Sequence, residues 1–408
     1  MFLGFAGRGE VSAEGGRPRV FMMDMLATVP YYTAYLSKAL LREPVDLTVG
    51  SITYYLDPDC YSSRGIQVDP GLLDVVGKFR LPRLPRRILK LMEGTANLGA
   101  LTARFLVSPP DVVHVQFLPM LRTPAPMDLW FVEFCRRRGA KIVLTVHDLL
   151  PHDTGDEYRE TFDRLYREVD AIICHADSIR TRLATEFGVP EGKISVVPHG
   201  PFFYDLPATG GEETLRSFAL EPGKAMVLWQ GILFPYKGVD LLLRAWQQVE
   251  AKRVDACLVI AGTGAPEMLQ KIRTQVEGLG LKRVKLHFRF VSSEELVALH
   301  RAADVLVYPY RAITTSGALA TGLALGKAIV ASDLPVFREL LTVRENALLV
   351  DPQDCDALAG ALTELIQDAA LRERLAANVR AMEFGDETWN AIAKRTMEVY
   401  ERVLASRG

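Results

Sequence analysis

The sequence predicts an α/β protein built from two Rossmann-like domains that face each other across a cleft. Three observations carry that expectation. Short continuous apolar runs alternate with amphipathic helical stretches, as in parallel sheets covered on both faces. A segment rich in Gly, Pro and charge follows Phe203, and the alternation restarts after it. Finally, 408 residues with 49% hydrophobic side chains exceed what one ordinary core holds.

In order, RVFMMD (Arg19 to Asp24) reads as a buried strand, Tyr31 to Arg42 as a helix and VDLTVG (Val45 to Gly50) as the next strand, an opening βαβ unit. DVVHVQ, KIVLTVHD, AIICHAD and ISVVPHG repeat the theme up to Gly200. Beyond the linker come AMVLWQG, the helix DLLLRAWQQVE, ACLVIAGTG, RVKLHFRFV, the helix EELVALHRA, DVLVYPY, AIVAS and NALLVDP, then helices from Asp354 to Ile366 and from Asp386 to Leu404. The expected organisation is an N-terminal extension at residues 1–18, expected to be mobile, a first domain at 19–205, a second at 206–385, and a final helix at 386–408 that crosses back to the first domain.

One stretch stands out, from Tyr308 to Ser332. An apolar strand ends in a polar loop, and Thr314, Thr315, Ser316 and Gly317 lead into an apolar helix. A helix N-terminus carries orphan N–H donors and the positive end of the helix dipole, which suits an anion such as a diphosphate. Equally, Ser316 or Thr315 serves as an ordinary cap of a core helix.

Composition narrows the classes. The formal net charge is −2, so no polycation signature points to nucleic acid. The five cysteines lie far apart and form no metal-binding spacing, as for scattered thiols in a reducing compartment. Asp57-Pro58-Asp59 reads as an exposed turn, and no metal site is expected. The first residues resemble neither a signal peptide nor a spanning helix, and no later apolar run is long enough to cross a bilayer.

From about Val112 onward an ordered set of motifs appears: TVHD (Thr145 to Asp148), VVPHG (Val196 to Gly200), GILFPYKGVDLLLRAW (Gly231 to Trp246) and VIAGTG (Val259 to Gly264). FVSSEELVALHRAADVLVYPY (Phe290 to Tyr310), SGALATGLALGKAIVAS (Ser316 to Ser332) and ENALLVDPQD (Glu345 to Asp354) follow. Their order and spacing resemble the retaining nucleotide-sugar glycosyltransferases of family 4, which have the GT-B architecture. By that resemblance, Lys237 binds the donor diphosphate and His147 contacts the donor sugar near the reacting carbon, with Asp148 orienting it. Gly231, Phe290, Val291, Thr314, Thr315, Ser316, Gly317 and Thr321 fall at donor-binding positions. Taken without the resemblance, Lys237 is a solvated lysine in a turn and His147 a histidine hydrogen-bonded to its loop. The chain departs from the family at Ile232, where an arginine is common, and at Ile313 and Thr321, where two glutamates are common.

The resemblance implies transfer with retained configuration and no metal held by an acidic motif. It also implies a UDP- or GDP-sugar donor and no tightly bound cofactor. For the acceptor, KFRLPRLPRRILKLM (Lys78 to Met92) interleaves Arg83, Arg86, Arg87 and other cations with leucines. That pattern suits an anionic membrane surface, at about 1 kcal/mol per basic side chain, or a solvated basic loop. Pro82 and Pro85 argue against a long helix there. Tyr31 and Tyr32 stand where an acceptor approaches, as sugar-stacking rings or as core. The expected protein is therefore cytoplasmic, peripheral at the inner membrane face, with a lipid-linked or glycan acceptor. A transferase to a soluble acceptor and a catalytically inactive partner subunit on the same fold stay open.

Overall fold

The computed structural model describes residues 16–79, 82–151, 154–206, 216–218 and 223–406. The expected extension, save its last three residues, and most of the linker lie outside the described residues.

The first half contains β1 (Arg19–Asp24), α1 (Pro30–Leu40), β2 (Asp46–Ser51), α2 (Arg83–Val107), β3 (Val112–Val115), α3 (Met127–Arg137), β4 (Lys141–Thr145), α4 (Arg159–Glu168), β5 (Ala171–Cys174), α5 (Asp177–Phe187) and β6 (Ile194–Val196). The second contains β7 (Ala225–Leu233), α6 (Val239–Ala251), β8 (Ala256–Gly264), α7 (Pro266–Gly278), β9 (Val284–Phe288), α8 (Ser293–Ala302), β10 (Val305–Tyr308), α9 (Gly317–Ala324), β11 (Ala328–Ser332), β12 (Leu348–Val350), α10 (Cys355–Gln367) and α11 (Ala369–Arg380). A last helix, α12, spans Asp386–Ala405.

Two 6-stranded sheets result, ordered β2-β1-β3-β4-β5-β6 and β12-β11-β10-β7-β8-β9. Every pairing is parallel. Strands β3, β5 and β10 are buried along their whole length, which is why they read as unbroken apolar runs. Each sheet changes winding direction once, between β1 and β3 in the first and between β7 and β10 in the second. Crevices beyond the carboxyl ends of strands at such switch points are where open α/β sheets bind ligands. The α/β class and the twin Rossmann-like layout expected from the sequence are what the chain adopts.

Helix α12 belongs to the second half in sequence and to the first sheet in space. Trp389, Ile392, Met397 and Tyr400 join the core cluster formed by α1 and β1. Trp389 stacks on Tyr35 at 5.5 Å and donates its indole N–H to the Pro201 carbonyl at 2.8 Å.

One expectation is corrected. Pro82 and Pro85 do not prevent a long helix: α2 runs for 25 residues, with Pro82 as its N-cap and Pro85 in its first turn. Backbone N–H groups of a first turn have no intrahelical acceptor, so a proline there forfeits nothing. The first helical bond of α2 runs from Arg86 N–H to Pro82 O at 3.1 Å.

Candidate active site

Both switch points open on one interdomain cavity of about 400 Å³. From the first domain, the loop after β1 is shaped by Asp24, which is fully buried and accepts from Thr28 N–H (2.8 Å), Val29 N–H (3.1 Å) and Thr33 Oγ1 (3.2 Å). Burial raises the Asp24 carboxyl above the usual range, and those donors oppose the rise. The loop delivers Tyr31 and Tyr32 to the cavity wall. Tyr31 donates its hydroxyl to Asp57 at 2.9 Å. Tyr32 is 2% exposed and packs edge-on against His147 at 4.7 Å, so it is chiefly core.

His147 follows β4 and lines the cavity. Two further histidines stand beside it, His175 directly after β5 and His199 after β6, with ring centroids 5.3 Å (His147 to His175) and 5.1 Å (His175 to His199) apart. Burial, then the neighbouring His175, His199 and His114, holds His147 well below its ordinary pKa. Burial also takes His175 down to about 4 and His199 to about 3. All three are neutral imidazoles at physiological pH.

The second domain supplies the other wall. Gly231 in β7 has φ 143° and pairs with Gly262 of β8, φ 151°, where a Cβ would lie 1.8 Å from the Gly231 carbonyl. A Cβ on Gly231 itself would come 3.1 Å from Lys237 Nζ, which places the ammonium against this bare strand end. Lys237 precedes Gly238, whose φ of 67° turns the chain into α6. Burial lowers the Lys237 ammonium to about 8, and the Asp148 charge across the cleft opposes that fall.

Helix α9 begins at the cavity. Gly322 lets it lie close to β10, since a Cβ there would meet Tyr308 Oη at 2.3 Å. Ser316 caps it by accepting from Leu319 N–H at 3.1 Å, so the hydroxyl performs the ordinary capping role. The Gly317 and Ala318 N–H groups carry no acceptor among the described residues. His199 and Phe202 of the first domain stand against this helix start, for a Cβ on Gly317 would meet Phe202 at 2.6 Å and His199 at 3.2 Å.

Among the residues singled out in the sequence, Gly231, Phe290, Val291, Thr315, Gly317, Thr321, His147, Tyr31 and Tyr32 line this one cavity. Thr314, Ser316 and Lys237 are not among its lining residues; Thr314 is 2% exposed and its hydroxyl accepts from Leu149 N–H at 3.3 Å, bridging the domains. Thr321 likewise accepts from Phe202 N–H at 3.1 Å. Ile232 and Ile313 leave their parts of the wall apolar. Arg86 stacks 3.9 Å above the Tyr55 ring, Arg87 is exposed, and the Arg83 side chain lies outside the described residues. The sequence reading passed over His175, His199, Phe202 and Gln116. A signal for the first two existed: a histidine follows the carboxyl end of three successive strands, β4, β5 and β6. Among the described residues no His, Cys, Asp and Glu cluster of three or more is arranged to hold a metal ion, and no helix is long and apolar enough to cross a membrane.

Two family models match this chain, Glycosyltransferase Family 4 over residues 29–200 and Glycosyl transferases group 1 over residues 212–382. The chain belongs to the family 4 glycosyltransferases and has the GT-B fold. An uncharacterized glycosyltransferase of Methanocaldococcus jannaschii is 26% identical over 256 residues, 62% of this chain and 64% of that protein. The phosphatidyl-myo-inositol mannosyltransferase of Mycobacterium leprae is 37% identical over 177 residues, 42% of this chain and 45% of that protein. The match thus spans 64% and 45% of these relatives' own lengths. Among solved structures, Anabaena HepE in complex with UDP and glucose superposes with a TM-score of 0.73 at 17% identity, covering 94% of this chain and all of that one, a likeness of fold.

Proposed function

We propose that this glycosyltransferase moves a hexose-type sugar from a UDP- or GDP-sugar to a lipid-linked or glycan acceptor at the cytoplasmic membrane face, with retained configuration and without a metal. The observation that carries the reading is the pairing of Lys237, whose half-buried side chain sets its ammonium against the bare Gly231, with two open N–H donors at the start of α9, on either side of one switch point. A fixed cation and a helix N-terminus stabilise negative charge as it builds on a departing diphosphate, more in the transition state than before it.

In the proposed step the bond from the sugar's anomeric carbon to the β-phosphate oxygen breaks, and the acceptor oxygen bonds to the same face of that carbon. The acceptor's proton passes to the departing phosphate. No carboxylate base is then required, in keeping with the apolar side chain at Ile313. His147, neutral and at the cavity wall, meets the sugar.

Support for a membrane-borne acceptor comes from α2. Leu84 is 70% exposed, Met92 62% and Ile88 53%, beside the exposed Arg87. Apolar anchors among cations suit an anionic bilayer surface. The named relative from Mycobacterium leprae is a phosphatidyl-myo-inositol mannosyltransferase, which fits the same acceptor class.

A second reading, an inactive partner subunit, is favoured by the Thr321 hydroxyl being engaged by Phe202 and by the rings packed on Gly317. A donor panel separates the two: each common nucleotide sugar in turn, with and without membrane extract, scored by free nucleotide. Release stimulated by the extract supports the transferase; nucleotide binding without turnover supports the inactive subunit.

A further inference from the structure

Gln116, 1% exposed and directly after β3, sits between two imidazoles. Its Oε1 is 3.1 Å from His147 Nε2, and its Nε2 is 3.1 Å from His114 Nε2 and 3.0 Å from Met22 Sδ. His114 in turn lies 2.7 Å from Thr145 Oγ1 through Nε2, and 2.6 Å from Tyr400 Oη through Nδ1. The Gln116 amide N–H donates to Met22 Sδ, and that turns the Gln116 carbonyl toward His147, whichever tautomer His114 adopts between Tyr400 and Thr145. The Gln116 carbonyl then has to accept a proton, and that proton is on His147 Nε2.

We propose that Gln116 is a positioning residue that holds His147 in its Nε2–H tautomer, so that His147 offers the cleft a bare Nδ1. The inference rests on the transferase reading above for its consequence, not for its geometry. His147 Nδ1 has no partner among the described residues, and the ring lines the cavity. A bare ring nitrogen accepts from a hydroxyl and repels a phosphate oxygen. The group His147 recognises is therefore a sugar hydroxyl, while the diphosphate is left to Lys237 and α9. The network also ties the site to the far end of the chain, because Tyr400 belongs to α12, whose packing on the first sheet sets the His114 ring.

The test is ¹⁵N NMR of the full chain labelled at histidine, with His147 assigned by the loss of its signals in His147→Asn, together with donor kinetics of Gln116→Met and Gln116→Glu. The expected result is protonated Nε2 and bare Nδ1 in the wild type, and a tautomer mixture in Gln116→Met. Its kcat should fall roughly 10- to 100-fold with donor KM nearly constant, as for a misplaced reacting partner. Gln116→Glu, which still accepts from Nε2–H, should regain the tautomer and part of kcat. A wild-type Nδ1–H tautomer overturns the proposal. So does a Gln116→Met variant with wild-type shifts and kcat, or one whose kcat, KM and Tm shift together without rescue by Gln116→Glu. Should the wild type transfer no sugar from any donor, the functional reading fails while the tautomer measurement still decides the role of Gln116.

Discussion

Glu339 of the second domain caps a helix of the first at Ser178. Its carboxylate accepts the Ser178 backbone N–H at 2.9 Å and the Ser178 hydroxyl at 2.7 Å, and also the Asp177 N–H at 2.7 Å, at the start of α5. A carboxylate there meets orphan donors and the positive end of the helix dipole together. With the Thr314 to Leu149 and Thr321 to Phe202 bonds, it makes a third polar link across the domain boundary.

Removing that cap should weaken the contact between the domains. Glu339→Ala should cost the closed arrangement about 1 kcal/mol, the link being solvent-exposed, and raise donor KM roughly fivefold with kcat little changed. Small-angle scattering with and without nucleotide, beside donor kinetics, checks it. An unchanged KM removes the latch role.

Lys237 carries the charge argument. Lys237→Met should lower kcat/KM by roughly 10²- to 10³-fold, the effect of deleting one donor aimed at developing negative charge. Tm should hold or rise, because an ammonium withdrawn from water is replaced by an apolar side chain. Thermal denaturation and donor kinetics on the same preparation separate the two effects.

The same lysine sets a pH dependence. With its pKa lowered to about 8 by burial, the cation is lost as pH rises through that value, so kcat/KM for the donor should fall above about pH 8. Bound diphosphate favours the charged form, so the limb in kcat should lie higher. Asp148 raises the Lys237 pKa, so Asp148→Asn should shift the kcat/KM limb to lower pH. A pH profile of each protein gives the answer.

Gly238 should tolerate no side chain. Its φ is 67° and a Cβ would lie 1.8 Å from the Pro309 carbonyl. Gly238→Ala is expected to cost roughly 2–4 kcal/mol, seen as a lower urea midpoint and weaker nucleotide binding.

On α2, Arg87→Glu should weaken binding to anionic vesicles at least fivefold at low salt, from about 1 kcal/mol per basic side chain. Leu84→Ser and Ile88→Ser should weaken it further and independently of salt. Vesicle sedimentation at two ionic strengths measures both.

How far the site was legible follows from where its parts sit in the chain. Strands such as VLVY at Val305–Tyr308 announce themselves because both their faces are buried. The loop that holds Thr315 and Gly317, and the YKG turn, are local patterns of turn and cap residues, so their positions could be read. What could not be read depends on contacts between distant residues. Thr314 reads locally as a cradle hydroxyl, but Leu149, 165 positions away, uses it. Phe202 meets Gly317 only across the boundary between the domains. Gln116 matters through His147 and through Tyr400 at the other end of the chain. The α2 helix was missed for a local reason: prolines that end a helix in its interior are at home in its first turn.

The most direct measurement is a crystal structure of the protein soaked with a nucleoside diphosphate. The expected result places the β-phosphate within hydrogen-bond distance of the Gly317 and Ala318 N–H groups and of Lys237 Nζ, with Phe202 moved off the start of α9. Electron density for the diphosphate elsewhere, with Phe202 and His199 still against Gly317, would contradict it.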